Sequence, residues 1–213
     1  VEPEPAHEET VTDVMARTLV NWGVRHVFGM VGHSNLGLAD AIRRREADGE
    51  MEFIGIRHEG AAAFAASAYG KLTGRPAACL TIAGPGATNL LTGLWDAKVD
   101  RAPVIALTGQ VESQVLGPGA FQEVDLAAAF GAVARWSQTV LPSSRHAELA
   151  TLACKNAIVE RDVAHLIFPD DVQTVLPGEE EPSGPDGRTA GAASDPPAAE
   201  PEAAAALVAG GER

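Results

Sequence analysis

Four short segments bring glycine together with polar or ionisable residues: Gly29–Asn35, Arg57–Glu59 with Gly60 directly after it, Ala83–Asn89 and Gly109–Glu123. In Arg57-His-Glu59-Gly60 a carboxylate stands where a strand would end and a helix begin. A helix macrodipole stabilises such a carboxylate, so Glu59 has an ordinary structural explanation. A partly buried carboxylate at that point could also share or exchange a proton with a ring nitrogen. The run that follows, from Gly60 to Gly70, is mostly alanine. Side chains that small let another backbone, a subunit or a flat ligand come close.

Ala83-Gly-Pro-Gly-Ala-Thr-Asn89 is glycine-rich, which suggests anion binding at helix N–H groups. The alternative is a tight turn with Thr88 as an N-cap. No Lys-Ser/Thr pair follows, which argues against nucleotide triphosphate chemistry. Gly29-Met-Val-Gly32 has the wrong spacing for a dinucleotide fingerprint. His33 beside it reads either as a proton shuttle or as a solvated loop histidine. In Gly117-Pro-Gly-Ala-Phe-Gln-Glu-Val-Asp125, Phe121 could wall a pocket and Gln122 could donate to a carboxylate or carbonyl. Glu123 and Asp125 are expected to face solvent or to cap the next helix. The sequence contains no Ser-His-Asp set, metal-ligand spacing or basic aromatic patch.

Residues at such points need a frame that brings strand ends together. Thr10 caps a helix with Val11, Val14, Met15, Thr18, Leu19 and Trp22 on one face, ended by Gly23. Short apolar runs at 25–30, 52–56, 77–82, 103–108, 134–139 and 163–168 read as strands. Helices are expected over 34–46, 59–72, 88–98 and 143–159, with Leu36, Ala39, Ala41 and Ile42 inward in the first of these. Strands alternating with helices imply right-handed crossovers, so the fold class is α/β: a doubly wound, mainly parallel six-stranded sheet with helices on both faces. In such sheets ligands sit at the carboxyl ends of the strands, where all four segments fall.

The chain has 213 residues, 46% of them hydrophobic, enough for one α/β domain and a tail. Its formal charge of −13 is concentrated at the ends. Residues 1–9 carry four acids and no Lys or Arg, and residues 177–213 carry eight acids against Arg188 and Arg213. The interior is therefore nearly balanced, which removes the electrostatic basis for binding nucleic acid. There is no transmembrane run and no secretory signal pattern. Cys79 and Cys154 are too few for a disulfide framework, which suits a reduced, cytoplasmic setting. The expected organisation is an acidic extension over 1–9, a domain over 10–175 and a Pro/Ala/Gly-rich linker over 176–201. Residues 202–213 then read as the start of a further domain, so the chain looks like part of a longer polypeptide.

Taken together, the segments resemble the pyrimidine-binding (PYR) domain of thiamine-diphosphate enzymes, in the pyruvate oxidase and acetohydroxyacid synthase branch. The matching text is Val27-Phe-Gly-Met-Val-Gly32, Arg57-His-Glu-Gly-Ala-Ala-Ala-Phe-Ala-Ala-Ser-Ala-Tyr-Gly-Lys-Leu-Thr-Gly74 and Ala83-Gly-Pro-Gly-Ala-Thr-Asn-Leu90. Asp100-Arg-Ala-Pro-Val-Ile-Ala-Leu-Thr-Gly-Gln110, Phe121-Gln-Glu123 and Val163-Ala-His-Leu-Ile-Phe-Pro-Asp-Asp-Val-Gln173 continue it. The likeness covers about residues 10–175.

The resemblance implies that Glu59 hydrogen-bonds the pyrimidine N1′ of thiamine diphosphate and favours its imino tautomer, which takes the proton from the thiazolium C2. It implies cofactor contacts for Gly84, Pro85, Gly86, Thr88 and Asn89. A substrate end is implied at Gly32, His33, Ser34, Phe121 and Gln122. Valine and histidine at 31 and 33 depart from the proline and small residue usual there, which leaves the identity of the 2-oxo acid open. The family holds Mg²⁺ and the diphosphate through a Gly-Asp-Gly…Asn motif in a separate domain, and these 213 residues contain no such motif. The implied activity is that of a 2-oxo acid decarboxylase, oxidase or carboligase of which this chain is one part. The implied working unit is at least a homodimer, often a homotetramer, with FAD common in the branch. The rival readings are a PYR subunit of a split enzyme and a non-catalytic module of the same fold.

Overall fold

In the computed structural model, residues 8–189 and 199–211 are described. Helix α1 (Val11–Asn21) starts in a capping box of Thr10 and Asp13, as its sequence predicts. Strand β1 (His26–Gly29), helix α2 (Leu36–Ala47), strand β2 (Glu52–Gly55) and helix α3 (Glu59–Thr73) follow. Gly74 ends α3 in the left-handed region at φ +70°, a conformation that favours glycine. Next come strand β3 (Ala77–Thr81), the single turn α4 (Pro85–Thr88), helix α5 (Leu91–Val99) and strand β4 (Val104–Gln110). Short helix α6 (Leu126–Phe130), strand β5 (Trp136–Thr139), helix α7 (His146–Ile158) and strand β6 (Val163–Pro169) complete the domain, and α8 spans Ala199–Gly210.

The six strands form one parallel sheet in the order β2-β1-β3-β4-β6-β5. Successive residues of a strand point to opposite faces, and both faces are covered. Ala78, Leu80, Ile105, Leu107, Ala164 and Leu166 pack on one side with residues of α1, α2 and α7. Ala77, Cys79, Val104, Ala106, Val163 and Ile167 pack on the other with residues of α3, α5 and α6. This is why β3, β4 and β6 read as unbroken apolar runs and are buried throughout. The edge strands β2 and β5 are only half-buried. Both cysteines are buried and free, and burial pushes their thiols up, Cys79 to about 12.

One local expectation is corrected. Leu36 faces outward and Leu38 takes the core position expected of it, because Leu38, Ala41 and Ile42 share the inward face of α2 and Leu36 lies about 200° around the helix from Leu38. Within the described part of the proline-rich stretch, Glu180 and Ser183 contact the domain. The buried Ser183 accepts a hydrogen bond from Trp22 Nε1, and Glu180 Oε2 accepts the Ala147 N–H that opens α7. These are polar contacts with distant helices, and no apolar period in the stretch's own sequence signals them. The acidic residues 1–7 lie outside the described residues, as do 190–198. No helix among the described residues is long and apolar enough to cross a membrane.

One polar group in the core has a measurable consequence. His165 on β6 is fully buried, stacked on Phe130 and bracketed by the Thr108 and Ser137 hydroxyls at 2.9 and 2.8 Å. Burial pushes its pKa down to about 3, so the folded ring stays neutral while the unfolded ring protonates near its ordinary 6.5. The unfolded state then binds the extra proton. Stability should therefore be complete above that value and fall by about 1.4 kcal/mol per pH unit as the pH drops below it. Urea unfolding at pH 7 and pH 5 should show this loss for the native chain. It should be smaller by about 2 kcal/mol in His165→Leu, whatever the variant's overall stability.

Candidate functional site

The carboxyl ends of β1 and β3 mark the point where the strand order reverses, and the loops leaving β1, β2 and β3 meet there. Glu59 is the first residue of α3, directly after the N-cap His58, whose Nδ1 accepts the Gly60 N–H at 3.1 Å. Its side chain is half-buried. Asn89 Nδ2 donates to Glu59 Oε2 at 2.9 Å, and Oε1 takes no hydrogen bond among the described residues. Gly86 faces that oxygen: a Cβ there would lie 3.4 Å from Oε1 and 2.5 Å from Ile82 Cγ1. Ile82 also lies against Gly32, where a Cβ would come within 2.6 Å of its Cγ2. Glu59, Gly86, Asn89, Ile82 and Gly32 are thus neighbours.

The Gly84–Asn89 segment differs from the expectation of a helix beginning at a Thr88 cap. The helical turn begins at Pro85, and Thr88 lies inside it, its hydroxyl donating to the Pro85 carbonyl at 3.2 Å. Proline at the first helical position has its φ preset and needs no N–H partner, so no side-chain cap is required. The helix is then interrupted at Asn89 and Leu90 before α5, and Asn89 reaches Glu59 from this point. Gly84 makes the entry possible, with φ +62° and ψ −125°.

The first loop is tied down differently from the sequence expectation. Ser34 is buried, and its hydroxyl accepts the Ala83 N–H at 2.8 Å, joining the loops after β1 and β3. It braces the two loops against each other. Gln173, fully buried, donates to the Ser34 carbonyl at 2.9 Å and accepts the Leu38 N–H at 3.0 Å. Asn35 accepts the Gly32 N–H and donates to the Met30 carbonyl. His33 projects outward, 91% exposed, with Nε2 3.6 Å from Asp170 Oδ2. Desolvation raises the Asp170 carboxyl above its ordinary range, helped by Glu112 and Asp171 and opposed by His33.

Phe121 is 89% exposed at the tip of the loop after β4. Gln122 has φ +67°, rare for a residue with a side chain, and its carbonyl lies 2.5 Å from where a Gly84 Cβ would stand. Asp125 caps α6 through the Ala128 N–H, as expected. Glu123 stays partly open to solvent, as expected, and leaves the cap of α6 to Asp125. It accepts the N–H groups of Gly117, Gly119 and Ala120 at 2.6, 2.9 and 2.8 Å, which hold its carboxyl below the usual range. Sequence reasoning missed this role, as it missed those of Ile82, Asn35, Asp170 and Gln173. A glutamate just after two glycines was the available signal for Glu123, and a glutamine after a buried strand the signal for Gln173.

The alanine-rich face of α3 is used within the chain. Gly93 of α5 sits so close that a Cβ would meet Ala63 Cβ at 2.6 Å and the Phe64 nitrogen at 2.7 Å. Ala61, Phe64, Ala68 and Leu72 remain exposed on its outer side.

A parallel sheet with a carboxylate, its asparagine partner and a bare glycine at the reversal of strand order defines a domain of the doubly wound α/β class with its polar cluster at the sheet's ligand-binding edge. Residues 9–129 match the family described as "Thiamine pyrophosphate enzyme, N-terminal TPP binding domain", and the chain belongs to that family. Among curated relatives, YdaP of Bacillus subtilis (strain 168), named for thiamine pyrophosphate, is 41% identical over 167 residues, 78% of this chain and 29% of the relative. Acetolactate synthase of Arthrospira platensis is 51% identical over 104 residues, 49% of this chain and 18% of the relative. The acetolactate synthase isozyme 2 large subunit of Escherichia coli (strain K12) is 47% identical over 104 residues, again 49% and 18%. The chain spans 18–29% of the length of these relatives.

Proposed function

We propose that this chain is the pyrimidine-binding portion of a thiamine-diphosphate enzyme that decarboxylates a 2-oxo acid, of acetolactate synthase or pyruvate oxidase type. The observation that carries the reading is the state of the Glu59 carboxylate. One oxygen is oriented by Asn89, and the other faces the bare backbone of Gly86. The residues fit an aminopyrimidine. Oε1 is available to a ring nitrogen, Ile82 is an apolar neighbour, and glycine at 86 lets the turn pack against Ile82 beside that oxygen, where a Cβ would clash with Ile82 at 2.5 Å.

Bound thiamine diphosphate supplies the carbon nucleophile and the electron sink for decarboxylation. The chain's own contribution is binding, orientation and one proton. Glu59 holds or releases the proton at the pyrimidine N1′, Asn89 fixes the rotamer that presents it, and the Gly84–Gly86 turn admits the ring. Pro85 and Thr88 build that turn. Gly32, His33, Phe121 and Gln122 border the substrate end, with Ser34 bracing the loop behind them. Mg²⁺ and the diphosphate are assigned to another domain of a longer polypeptide or to a partner subunit, giving a working unit of at least two subunits. FAD, where the intact enzyme uses it, is assigned outside this chain as well. The test is exchange of the thiamine C2 proton in the intact enzyme with Glu59→Gln.

A further inference from the structure

Glu123 touches none of the groups around Glu59, yet its side chain accepts three backbone N–H groups. Its two carboxylate oxygens collect three N–H groups from Gly117, Gly119 and Ala120, and its own N–H donates to the Ala120 carbonyl at 2.9 Å. A carboxylate accepts such bonds strongly because it is ionised and because both oxygens can take more than one donor. The two glycines it collects stand at φ +108° and +85°, where nothing lies within 4 Å of a hypothetical Cβ. The chain is therefore wrapped around the carboxylate, not packed against a wall.

Closing that ring determines the neighbours of Glu123. Gln122 is left at φ +67° with its carbonyl pressed on the Gly84 backbone, and Phe121 is left facing outward. Gly84 is the entry to the turn that delivers Asn89 to Glu59. A line of contacts thus runs from Glu123 through Gln122 and Gly84 to the turn beside the carboxylate. The three hydrogen bonds offset the cost of a left-handed glutamine, beside those of Glu123 N–H to the Ala120 carbonyl and of Gln110 Nε2 to the Val124 carbonyl.

We infer that Glu123 is a positioning residue: its carboxylate folds the 117–123 loop so that Phe121 and Gln122 are presented at the substrate end of the site. The inference rests on the function proposed above, since that reading gives the two residues a substrate to meet. It assigns Glu123 to productive substrate placement and not to cofactor activation.

The test uses the intact enzyme with Glu123→Ala, which removes all three acceptor bonds, and Glu123→Gln, which keeps one acceptor oxygen. Amide hydrogen exchange should quicken at Gly117, Gly119 and Ala120, by roughly tenfold or more in the alanine variant and less in the glutamine variant. KM for the 2-oxo acid should rise by roughly tenfold in Glu123→Ala, while C2-proton exchange of bound thiamine diphosphate stays within about twofold. Faster amide exchange with an unchanged KM would reduce Glu123 to a structural staple and overturn the inference. So would a parallel fall in C2 exchange, which would place Glu123 on the cofactor side. Full C2 exchange in Glu59→Gln would defeat the proposed function instead, and the amide-exchange result would still report whether Glu123 organises the loop.

Discussion

Replacing Glu59 by glutamine in the intact enzyme is expected to abolish measurable exchange of the thiamine C2 proton and to leave the fold unchanged. Glutamine keeps the shape, and its carbonyl oxygen can still accept from Asn89 Nδ2, so the turn and the start of α3 retain their contact. What it loses is the ability to take up and return a proton at the oxygen facing Gly86. General acid–base participation contributes roughly 10²–10⁴ in rate, so exchange should fall by at least about a hundredfold. Loss of the charge at the helix N-terminus should cost only about 0.3–1 kcal/mol of stability. Quenched-flow deuterium exchange read by proton NMR, beside a urea melt, separates the two effects. Asn89→Ala should show a smaller fall, because it frees the carboxylate's orientation without removing the proton. Exchange at the native rate in Glu59→Gln would end the proposal that this carboxylate activates the cofactor.

The second large effect is expected at Gly84. Its φ of +62° with ψ −125° belongs to a region that residues with a side chain seldom enter. An added Cβ would also stand 2.5 Å from the Gln122 carbonyl oxygen and 3.0 Å from its Cα. Both contacts are with backbone that is itself left-handed, so no side chain can swing aside. Backbone strain of about 1–3 kcal/mol and overpacking of about 1–3 kcal/mol act together in Gly84→Ala. That is a large share of the roughly 5–15 kcal/mol that keeps a domain folded. Gly74→Ala is the control: φ is +70°, but nothing lies within 4 Å of its Cβ position, so strain acts alone at about 1–2 kcal/mol. Equal losses in the two variants, measured by urea unfolding, would show that the Gly84–Gln122 contact is not tight. In the intact enzyme Gly84→Ala should also impair substrate use, because relief of the clash must move Gln122.

Much of the frame was readable from local pattern. The strands at β3, β4 and β6 are unbroken apolar runs because helices cover both faces, and a doubly covered strand can hardly be written otherwise. Gly74 as a helix stop and Thr10 as a helix start likewise act through chemistry confined to a single turn. Glu59 was legible as a candidate because a strand end, a helix start and a run of small residues adjoin it in the chain. The start of α2 was misread because Leu36 lies about 200° around the helix from Leu38, and the inward face is set by Leu38, Ala41 and Ile42. The break between α4 and α5 was equally hidden, since the apolar period runs on across Asn89 and Leu90.

By itself, the sequence determined the alternation of elements, the six strand positions, the loops that must meet at one edge of the sheet and the carboxylate among them. These depend on periodicity and on turn residues, which act within a few positions along the chain. Tertiary structure alone decided what each loop residue touches: Asn89 on Glu59, Ser34 on Ala83, Gln173 on Ser34 and the Gln122 carbonyl on Gly84. Three of these pairs lie 30, 49 and 139 residues apart. No local propensity encodes such a pair; it exists only once parallel strands with crossing helices carry distant loops to the same end of one sheet.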